Sequence, residues 1–273
     1  MREGEPSRTA LGAAALRAAH QEAAEPRIFT DPLARRILGT ADLPDLAWAQ
    51  PRLRLFIAVR HRFAEDALAA AVERGTRQVV VLGAGLDTFA YRNPFPGTHV
   101  YEVDHPATGA WKRERLADVG IEVPDSVTYV AVDFERDSLA EQLAAAGFDA
   151  RQPAFFLWLG VVPYLSDEAV RATLAVIAAV PDGEVVLDYL KATEHAPAAA
   201  RSGRETLEAH VAEVGEPLQP GRDTASVHAM LRDAGFDEIE DVGRREIRSR
   251  YLGLRPGEAD GDAHVVRARV TRP

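Results

Sequence analysis

Glycine and aspartate residues that can contact a ligand follow three apolar runs in this 273-residue chain. The run at residues 79–82 leads into Gly83-Ala84-Gly85. A second run ends at Asp104, and a third ends at Asp133. Short apolar runs are typical of buried parallel strands, whose carboxyl ends meet at one edge of an α/β sheet. Because glycine lets a ligand approach the backbone and carboxylates accept hydrogen bonds, the pattern predicts a ligand site along that edge.

Two classes of ligand use such a glycine turn: dinucleotides and S-adenosylmethionine. A dinucleotide needs a third glycine and a long helix, whose N-terminus binds the pyrophosphate. Thr88 stands at the third position here. Between Thr88 and Pro94 there is room for only about two helical turns. A turn without a good phosphate site favours S-adenosylmethionine, which carries no phosphate, although the glycines alone also suit a purely structural turn.

Carboxylates at the next two strand ends strengthen the S-adenosylmethionine hypothesis. Asp104 follows the turn by about 20 residues, where a carboxylate can accept hydrogen bonds from both ribose hydroxyls. Glu102 shares the strand face of Asp104 and is either a structural acid or a second contact. Asp133 is either a helix cap or an acceptor for the adenine amino group, and the backbone N–H of Phe134 can donate to the adenine ring.

Strands and helices alternate from residue 79 onward. The predicted strands are residues 79–83, 98–103, 127–132, 154–159 and 184–189. The predicted helices are residues 107–119, 137–146, 166–179 and 225–234. This alternation predicts an α/β fold with a doubly wound, Rossmann-like sheet that is mostly parallel. Two final strands, at residues 238–247 and 263–270, suit an antiparallel pair at the sheet edge, so we expect an antiparallel C-terminal strand.

Helical patterns precede the first strand. Residues 9–24 are rich in alanine, and residues 51–74 repeat apolar side chains at helical spacing. We therefore predict an N-terminal helical cap at residues 1–75 and a ligand-binding core at residues 76–273. Within the core, the polar segment 191–222 is a candidate lid.

Composition limits the classes of function. Hydrophobic residues make up 47% of the chain and the formal net charge is -10, so we expect a sizeable core and no nucleic-acid partner. The absence of cysteine excludes disulfides, thiolate metal sites and cysteine nucleophiles, and no metal site is predicted. No apolar run is long enough for a membrane span, and the first residues lack the apolar core of a signal peptide. We therefore expect no membrane partner and a cytoplasmic location.

Together, these segments resemble the class I S-adenosylmethionine-dependent methyltransferases of the leucine carboxyl methyltransferase type, many of them bacterial. The matching segments lie in the family's order at residues 29–34 (FTDPLA), 59–63 (VRHRF), 82–88 (LGAGLDT), 91–92 (YR), 102–104 (EVD), 132–134 (VDF) and 160–165 (GVVPYL). The resemblance implies S-adenosyl-L-methionine as the methyl donor. It also implies a small-molecule acceptor with a carboxylate or hydroxyl group, as in natural-product pathways.

The resemblance assigns roles to individual residues. It implies that Arg60 binds the carboxylate of the methyl donor, which a guanidinium can do through two N–H groups. The glycine turn would contact the aminocarboxypropyl chain. The residues implied to bind the methyl donor are Arg60, Gly83, Ala84, Gly85, Asp104, Asp133, Phe134 and Leu159. The candidate substrate contacts are Arg17, His20 and Tyr164.

One position departs from the family pattern. Carboxyl methyltransferases of this type carry a glutamate at the end of the fourth strand, where this chain has Leu159. A leucine side chain makes no hydrogen bond, so this part of the site is expected to be more apolar. Specificity for a peptide carboxylate is therefore not implied.

The primary hypothesis is an S-adenosylmethionine-dependent O-methyltransferase that acts on a small molecule. A carboxylate acceptor is ionised at neutral pH and needs no general base, whereas a hydroxyl needs one. The titratable groups near the motifs are His20, His61, His105 and Tyr164, and their spacing does not identify a base. The candidates for an aromatic pocket wall, with core packing as their alternative role, are Trp48, Trp111 and Trp158. The alternative functions are an NAD(P)-dependent oxidoreductase and a non-catalytic S-adenosylmethionine-binding protein.

Overall fold

The computed structural model describes residues 7–23, 28–39, 46, 48–49, 51–192, 198–255 and 262–271. Within these residues, seven strands form one sheet. The strands are β1 Gln78–Leu82, β2 His99–Asp104, β3 Val127–Ala131, β4 Ala154–Trp158, β5 Glu184–Leu190, β6 Glu238–Val242 and β7 Ala263–Arg269. Their order across the sheet is β3-β2-β1-β4-β5-β7-β6.

The pairing confirms the predicted fold class. β1 pairs in parallel with β2 and β4, and these pair in parallel with β3 and β5 respectively. β7 is antiparallel to both of its neighbours, β5 and β6. The strand order reverses between β1 and β4, so their carboxyl ends border the crevice in which α/β proteins bind ligands.

Helices connect the strands and precede the first of them. They are α1 Arg8–Gln21, α2 Ala34–Leu38, α3 Pro51–Glu73, α4 Phe89–Arg92, α5 Pro106–Asp118, α6 Leu139–Ala145, α7 Asp167–Ala178, α8 Ala198–Glu213, α9 Thr224–Ala234 and α10 Arg244–Leu252. A short 3-10 helix, Val162–Tyr164, follows β4. The division into an N-terminal cap and a core stays a prediction. In the part of the chain that the structure describes, no helix is long and apolar enough to cross a membrane.

Both faces of the sheet are covered, which explains why β1 is an unbroken apolar run. Val80 and Leu82 belong to a core that includes side chains of α7 and α9. Val79 and Val81 belong to a second core with Phe63 of α3. Alternate side chains of a strand point to opposite faces, so one short run supplies both cores. β1 is thereby held rigidly, and the glycine turn begins directly at its end.

The strand predicted at residues 238–247 is wrong in its second half. β6 ends at Val242, and Gly243 precedes α10, which runs from Arg244 to Leu252. Ile247 is the buried residue of α10, while Glu246 lies in the first turn, where a negative charge suits the helix dipole. The charged residues around Ile247 favour an exposed helix, which contacts the core through Ile247 and, partly buried, through Tyr251 and Leu252.

Candidate active site

A cavity of about 1260 Å³ lies at the carboxyl edge of the sheet. Its volume exceeds the roughly 300–1,000 Å³ that is common for a single small-molecule site, so it has room for two ligands side by side. The predicted site residues that line it are Arg17, Arg60, Gly83, Ala84, Gly85, Asp104, Asp133, Phe134, Leu159 and Tyr164. His20 is not part of this wall, because its ring is buried in the last turn of α1. Its role as a substrate contact has no support from its position.

The packing of the protein itself requires glycine at two positions of the glycine turn. Gly83 and Gly85 have φ angles of 64° and 43°, in the region that L-residues other than glycine rarely adopt. A Cβ atom at Gly83 would overlap the side chain of Val161, and one at Gly85 would lie 2.9 Å from Cβ of Ala10 in α1. The turn therefore needs glycine even before a ligand approaches it.

Asp104 connects the glycine turn to the end of β2. Its Oδ2 accepts a hydrogen bond from the Gly85 N–H at 2.5 Å, and its Oδ1 accepts one from the His105 N–H at 2.7 Å. Burial raises the pKa of Asp104 despite these two hydrogen bonds. Each carboxylate oxygen has a further lone pair, so the group can still accept hydrogen bonds from two hydroxyls.

A pH titration of cofactor affinity is expected to report on Asp104. Protonation removes the charge that favours hydroxyl donors, so affinity for S-adenosylhomocysteine should fall about tenfold as the pH is lowered from neutral. Because the pKa of Asp104 is raised, the fall should begin at a higher pH than for an ordinary aspartate. Calorimetry across this range measures it. Asp104→Asn should bind weakly at every pH, and an equal fall in that variant would assign the titration to another group.

Glu102 is the structural acid of the two on this strand face. Its carboxylate is buried, accepts a hydrogen bond from Lys112 Nζ at 2.8 Å and another from the Tyr91 hydroxyl at 2.6 Å. These partners occupy the group within the protein. Asp104 lies two residues further along β2 and is therefore the acid that reaches the large cavity.

Asp133 shapes the turn after β3. Its Oδ1 accepts a hydrogen bond from the Glu135 N–H at 3.1 Å, whereas the N-cap of α6 is Ser138. The helix-cap interpretation of Asp133 is therefore wrong, although the residue does have a local structural role. Both Asp133 and Phe134 line the cavity, and Phe134 also packs against the core. Their contact with adenine stays a prediction.

Arg60 is a buried cation in the cavity wall beside β5, whereas Asp133 follows β3. Its Nη1 donates to Asp188 Oδ2 at 2.9 Å, and Asp188 Oδ1 accepts from the Gly160 N–H at 2.5 Å. The Nε–H of Arg60 is buried and has no hydrogen-bond partner among the described residues. A buried guanidinium with an unpaired N–H fits a carboxylate ligand, such as the one carried by S-adenosylmethionine.

Asp188 is a residue of the site that the sequence patterns did not reveal. It lies in β5 next to Leu159, because Trp158 of β4 is in register with Leu187. The chain thus lacks the family glutamate on β4 but places a buried carboxylate beside that position from the neighbouring strand. The available signal was an aspartate inside the apolar run of β5, since a charge is rare in a strand buried on both faces.

Arg17 supports the glycine turn from α1. Its side chain is buried, Nη2 donates to the carbonyl oxygen of Leu86 at 2.5 Å, and Nε donates to Asp31 Oδ2 at 3.3 Å. The same Asp31 oxygen accepts from Thr88 Oγ1 at 2.7 Å. These contacts join three distant segments around the turn. Contact of Arg17 with the substrate stays a prediction.

His61 is held between two oxygen acceptors. Its Nδ1 lies 2.7 Å from the Ile57 carbonyl oxygen, and its Nε2 lies 3.1 Å from Asp87 Oδ2. Burial alone would raise the pKa of Asp87, but the hydrogen bond and charge of His61, with Arg17 and Arg92 nearby, hold it well below its usual range. These contacts orient the glycine turn, and because both ring nitrogens of His61 face acceptors within the protein, neither is available to remove a proton from a substrate.

Tyr164 lies in the 3-10 helix and faces the same cavity. Burial raises its pKa to about 12, although a hydrogen bond with Thr9 acts in the opposite direction. The phenol is therefore neutral at pH 7 and can position an oxygen atom but cannot serve as a base. Glu216 closes this end of the cavity, since its Oε1 accepts from the Arg8 N–H at 2.8 Å and its Oε2 accepts from Ser7 Oγ at 3.0 Å.

Some of the histidines and tryptophans line the cavity, and others lie in the core. His105 and His210 line the cavity, and the ring of His210 stacks on Trp48 with 4.0 Å between centroids. Trp158 is fully buried in the core, and Trp111 of α5 packs against a cluster that contains residues of α1 and α2, so neither belongs to the cavity wall. His210 was missed from the sequence because it lies in α8, outside every matched motif.

Relatives with similar sequences carry the provisional name of S-adenosyl-L-methionine-dependent methyltransferase. One from Mycolicibacterium gilvum is 37% identical over 75% of this chain and 68% of its own length. One from Mycolicibacterium paratuberculosis is 34% identical over 86% of this chain and 78% of its own length. A Bacillus subtilis protein, YktD, is 27% identical over 93% of this chain and 94% of its own length.

Solved structures show the same fold. A provisionally named methyltransferase from Thermobifida fusca aligns with a TM-score of 0.61 at 16% identity, covering 99% of this chain and 97% of its own. A DUF574 protein from Streptomyces avermitilis aligns with a TM-score of 0.60 at 16% identity, covering 94% of this chain and 97% of its own.

The sheet order, the glycine turn and the matched relatives define a Rossmann-like S-adenosylmethionine-dependent methyltransferase. More narrowly, the sequence profile of the leucine carboxyl methyltransferase family matches residues 10–178. The chain belongs to that family. This assignment displaces the oxidoreductase hypothesis, in keeping with the four-residue α4, which is too short to present an N-terminus to a pyrophosphate.

Proposed function

We propose that this methyltransferase transfers the methyl group to an oxygen atom, a carboxylate or a hydroxyl, of a small molecule. The observation that carries the proposal is the cavity, which continues beyond the glycine turn between α1, α3 and α8. Its apolar wall includes Leu53 and Phe56 of α3 and Leu207 of α8. A space of this kind suits an organic acceptor of modest size, and a role in natural-product chemistry stays a prediction.

The residues of the donor site have separate tasks in this proposal. Arg60 binds the donor carboxylate, Asp104 accepts from the ribose hydroxyls, and Asp133 with the Phe134 backbone binds adenine. When bound, S-adenosylmethionine supplies an activated methyl group on a sulfonium, which an acceptor oxygen displaces in line. The glycine turn and Leu159 line this region without a charged side chain, so the protein contributes position and exclusion of water.

The nature of the acceptor decides whether a base is required. A carboxylate attacks in its ionised form, so no described side chain needs to remove a proton. A hydroxyl must lose its proton, and His105 and His210 are the cavity histidines available for that task. Nδ1 of His105 accepts from the Ala107 N–H at 3.3 Å, which leaves Nε2 for other contacts.

Two measurements test the proposal. Calorimetry should detect S-adenosylhomocysteine binding, and a panel of aryl and alkyl carboxylates and phenols should contain acceptors of a labelled methyl group. Mild alkali releases methanol from a methyl ester and leaves a methyl ether intact, which separates the two acceptor classes. Methyl transfer to nitrogen or carbon would contradict the proposal. Binding of S-adenosylhomocysteine without transfer across the panel would favour the non-catalytic alternative.

A further inference from the structure

One face of α8 forms a wall of the cavity beyond the donor site. Arg204, Leu207 and Val211 of α8, and Val214 directly after it, recur at intervals of three or four residues and all line the cavity. Residues at this spacing share one side of a helix. Three of these four side chains are aliphatic, and the fourth is a cation, so the wall combines an apolar surface with a single positive charge.

Arg204 is buried without a full set of partners. The residue is 3% exposed, and its Nε donates to Glu208 Oε1 at 2.7 Å. Its Nη1 is shielded from solvent and has no hydrogen-bond partner among the residues that the structure describes. An unpaired buried N–H on a charged group is costly, and native proteins usually satisfy one with an ordered water molecule or a ligand.

A second unpaired donor lies on the same side of the cavity. The indole Nε1–H of Trp48 is also buried and has no partner in the described part of the chain. Trp48 stacks on His210 of α8, six residues beyond Arg204, and both rings line the cavity. Guanidinium and indole N–H groups can only donate, so the missing partners must be acceptor atoms, and the positive charge of Arg204 favours a negatively charged one.

The surroundings indicate which acceptor group fits. Glu208 accepts from Nε of Arg204 but not from Nη1, and the carboxylates nearest the donor site, Asp87 and Asp188, pair with His61 and Arg60. Apolar side chains flank Arg204 along α8, and Leu53 and Phe56 of α3 line the same cavity. A planar guanidinium matches the two oxygens of a carboxylate, and the aliphatic neighbours suit the apolar body of such a molecule.

We propose that Arg204 determines acceptor specificity by binding a carboxylate on an otherwise apolar molecule, with Trp48 as a second donor in the same wall. This inference rests on the proposed function, because it assigns the acceptor to the part of the cavity beyond the methyl donor. It adds a selecting residue outside all the matched motifs. Arg204 thus holds the acceptor molecule in the cavity through that carboxylate.

Binding of matched acids and amides tests this role without turnover. Naphthoate with naphthamide, and phenylpropanoate with phenylpropanamide, are titrated into protein saturated with S-adenosylhomocysteine. The natural protein should bind at least one acid about tenfold more tightly than its amide. Arg204→Gln should abolish that preference and leave amide binding within about twofold of the natural protein, since only the charged contact is removed. Arg204→Lys should retain part of the preference.

Arg201→Gln is the matched control, because it removes the same charge from an exposed position of α8 and should keep the preference for the acid. Equal binding of acids and amides by the natural protein overturns the proposal and requires no variant. So does an equal loss of both ligands in Arg204→Gln, which would indicate a purely structural arginine. The affinity for S-adenosylhomocysteine, measured in the same samples, separates failure of this inference from failure of the proposed function.

Discussion

Replacing Arg60 by glutamine is expected to weaken S-adenosylhomocysteine binding by roughly 10- to 100-fold, because a charged hydrogen bond to the ligand carboxylate is lost. The same change should lower the free energy of unfolding by about 3–5 kcal/mol. Arg60 Nη1 lies 2.9 Å from Asp188 Oδ2, and both side chains are buried, so the variant leaves a buried carboxylate without its cation. Calorimetry and denaturant unfolding measure the two effects.

A double variant separates these effects. In Arg60→Gln with Asp188→Asn, no buried charge remains unpaired, and the amide oxygen at position 188 can still accept from the Gly160 N–H. Stability should therefore recover while ligand affinity stays low. Recovery of both would mean that Arg60 acts only through Asp188. Arg62→Gln, which removes an exposed arginine two residues further along α3, should leave ligand affinity unchanged.

The second large effect is expected for Gly83→Ala, which should abolish cofactor binding and lower the free energy of unfolding by about 2–5 kcal/mol. Two costs combine at this position. The φ angle of 64° is strained for alanine, and the new Cβ would overlap Val161. Because Gly83 N–H and Ala84 N–H both donate to the Val103 carbonyl oxygen, movement of the turn would also separate it from β2.

Gly97→Ala is the matched control for backbone strain alone. Gly97 has a φ angle of 77°, near that of Gly83, and a Cβ added there would meet nothing within 4 Å. Its cost should be only about 1–3 kcal/mol, with ligand affinity unchanged. Adding Val161→Ala to Gly83→Ala should relieve the overlap but not the strain. If Gly83→Ala were no more harmful than Gly97→Ala, the close contact with Val161 would have no role.

Local patterns in the chain were sufficient to predict most of the architecture. Apolar runs such as 79–82, bounded by glycine or aspartate, predicted the parallel strands, because they are apolar throughout and too short for a buried helix. The residues proposed for the donor site were found for a related reason. Gly83, Asp104 and Asp133 each lie at or just after the end of a strand, and parallel strands deliver their carboxyl ends to one edge. The same local reasoning mistook the start of α10 for strand, since one apolar residue among charges carries little periodicity.

The partners of those residues depended on contacts between distant parts of the chain. Arg60 meets Asp188 across 128 positions, and Arg17 meets Leu86 across 69. Nothing in the local sequence around either arginine encodes its partner, because the pairing follows from how helices pack over the sheet edge. By itself, the sequence determined the fold and the family, and it predicted where the methyl donor binds. Only the tertiary structure decided that Asp188 stands beside Leu159 and that Arg204 reaches the cavity with an N–H unpaired, since burial and pairing are properties of the packed molecule.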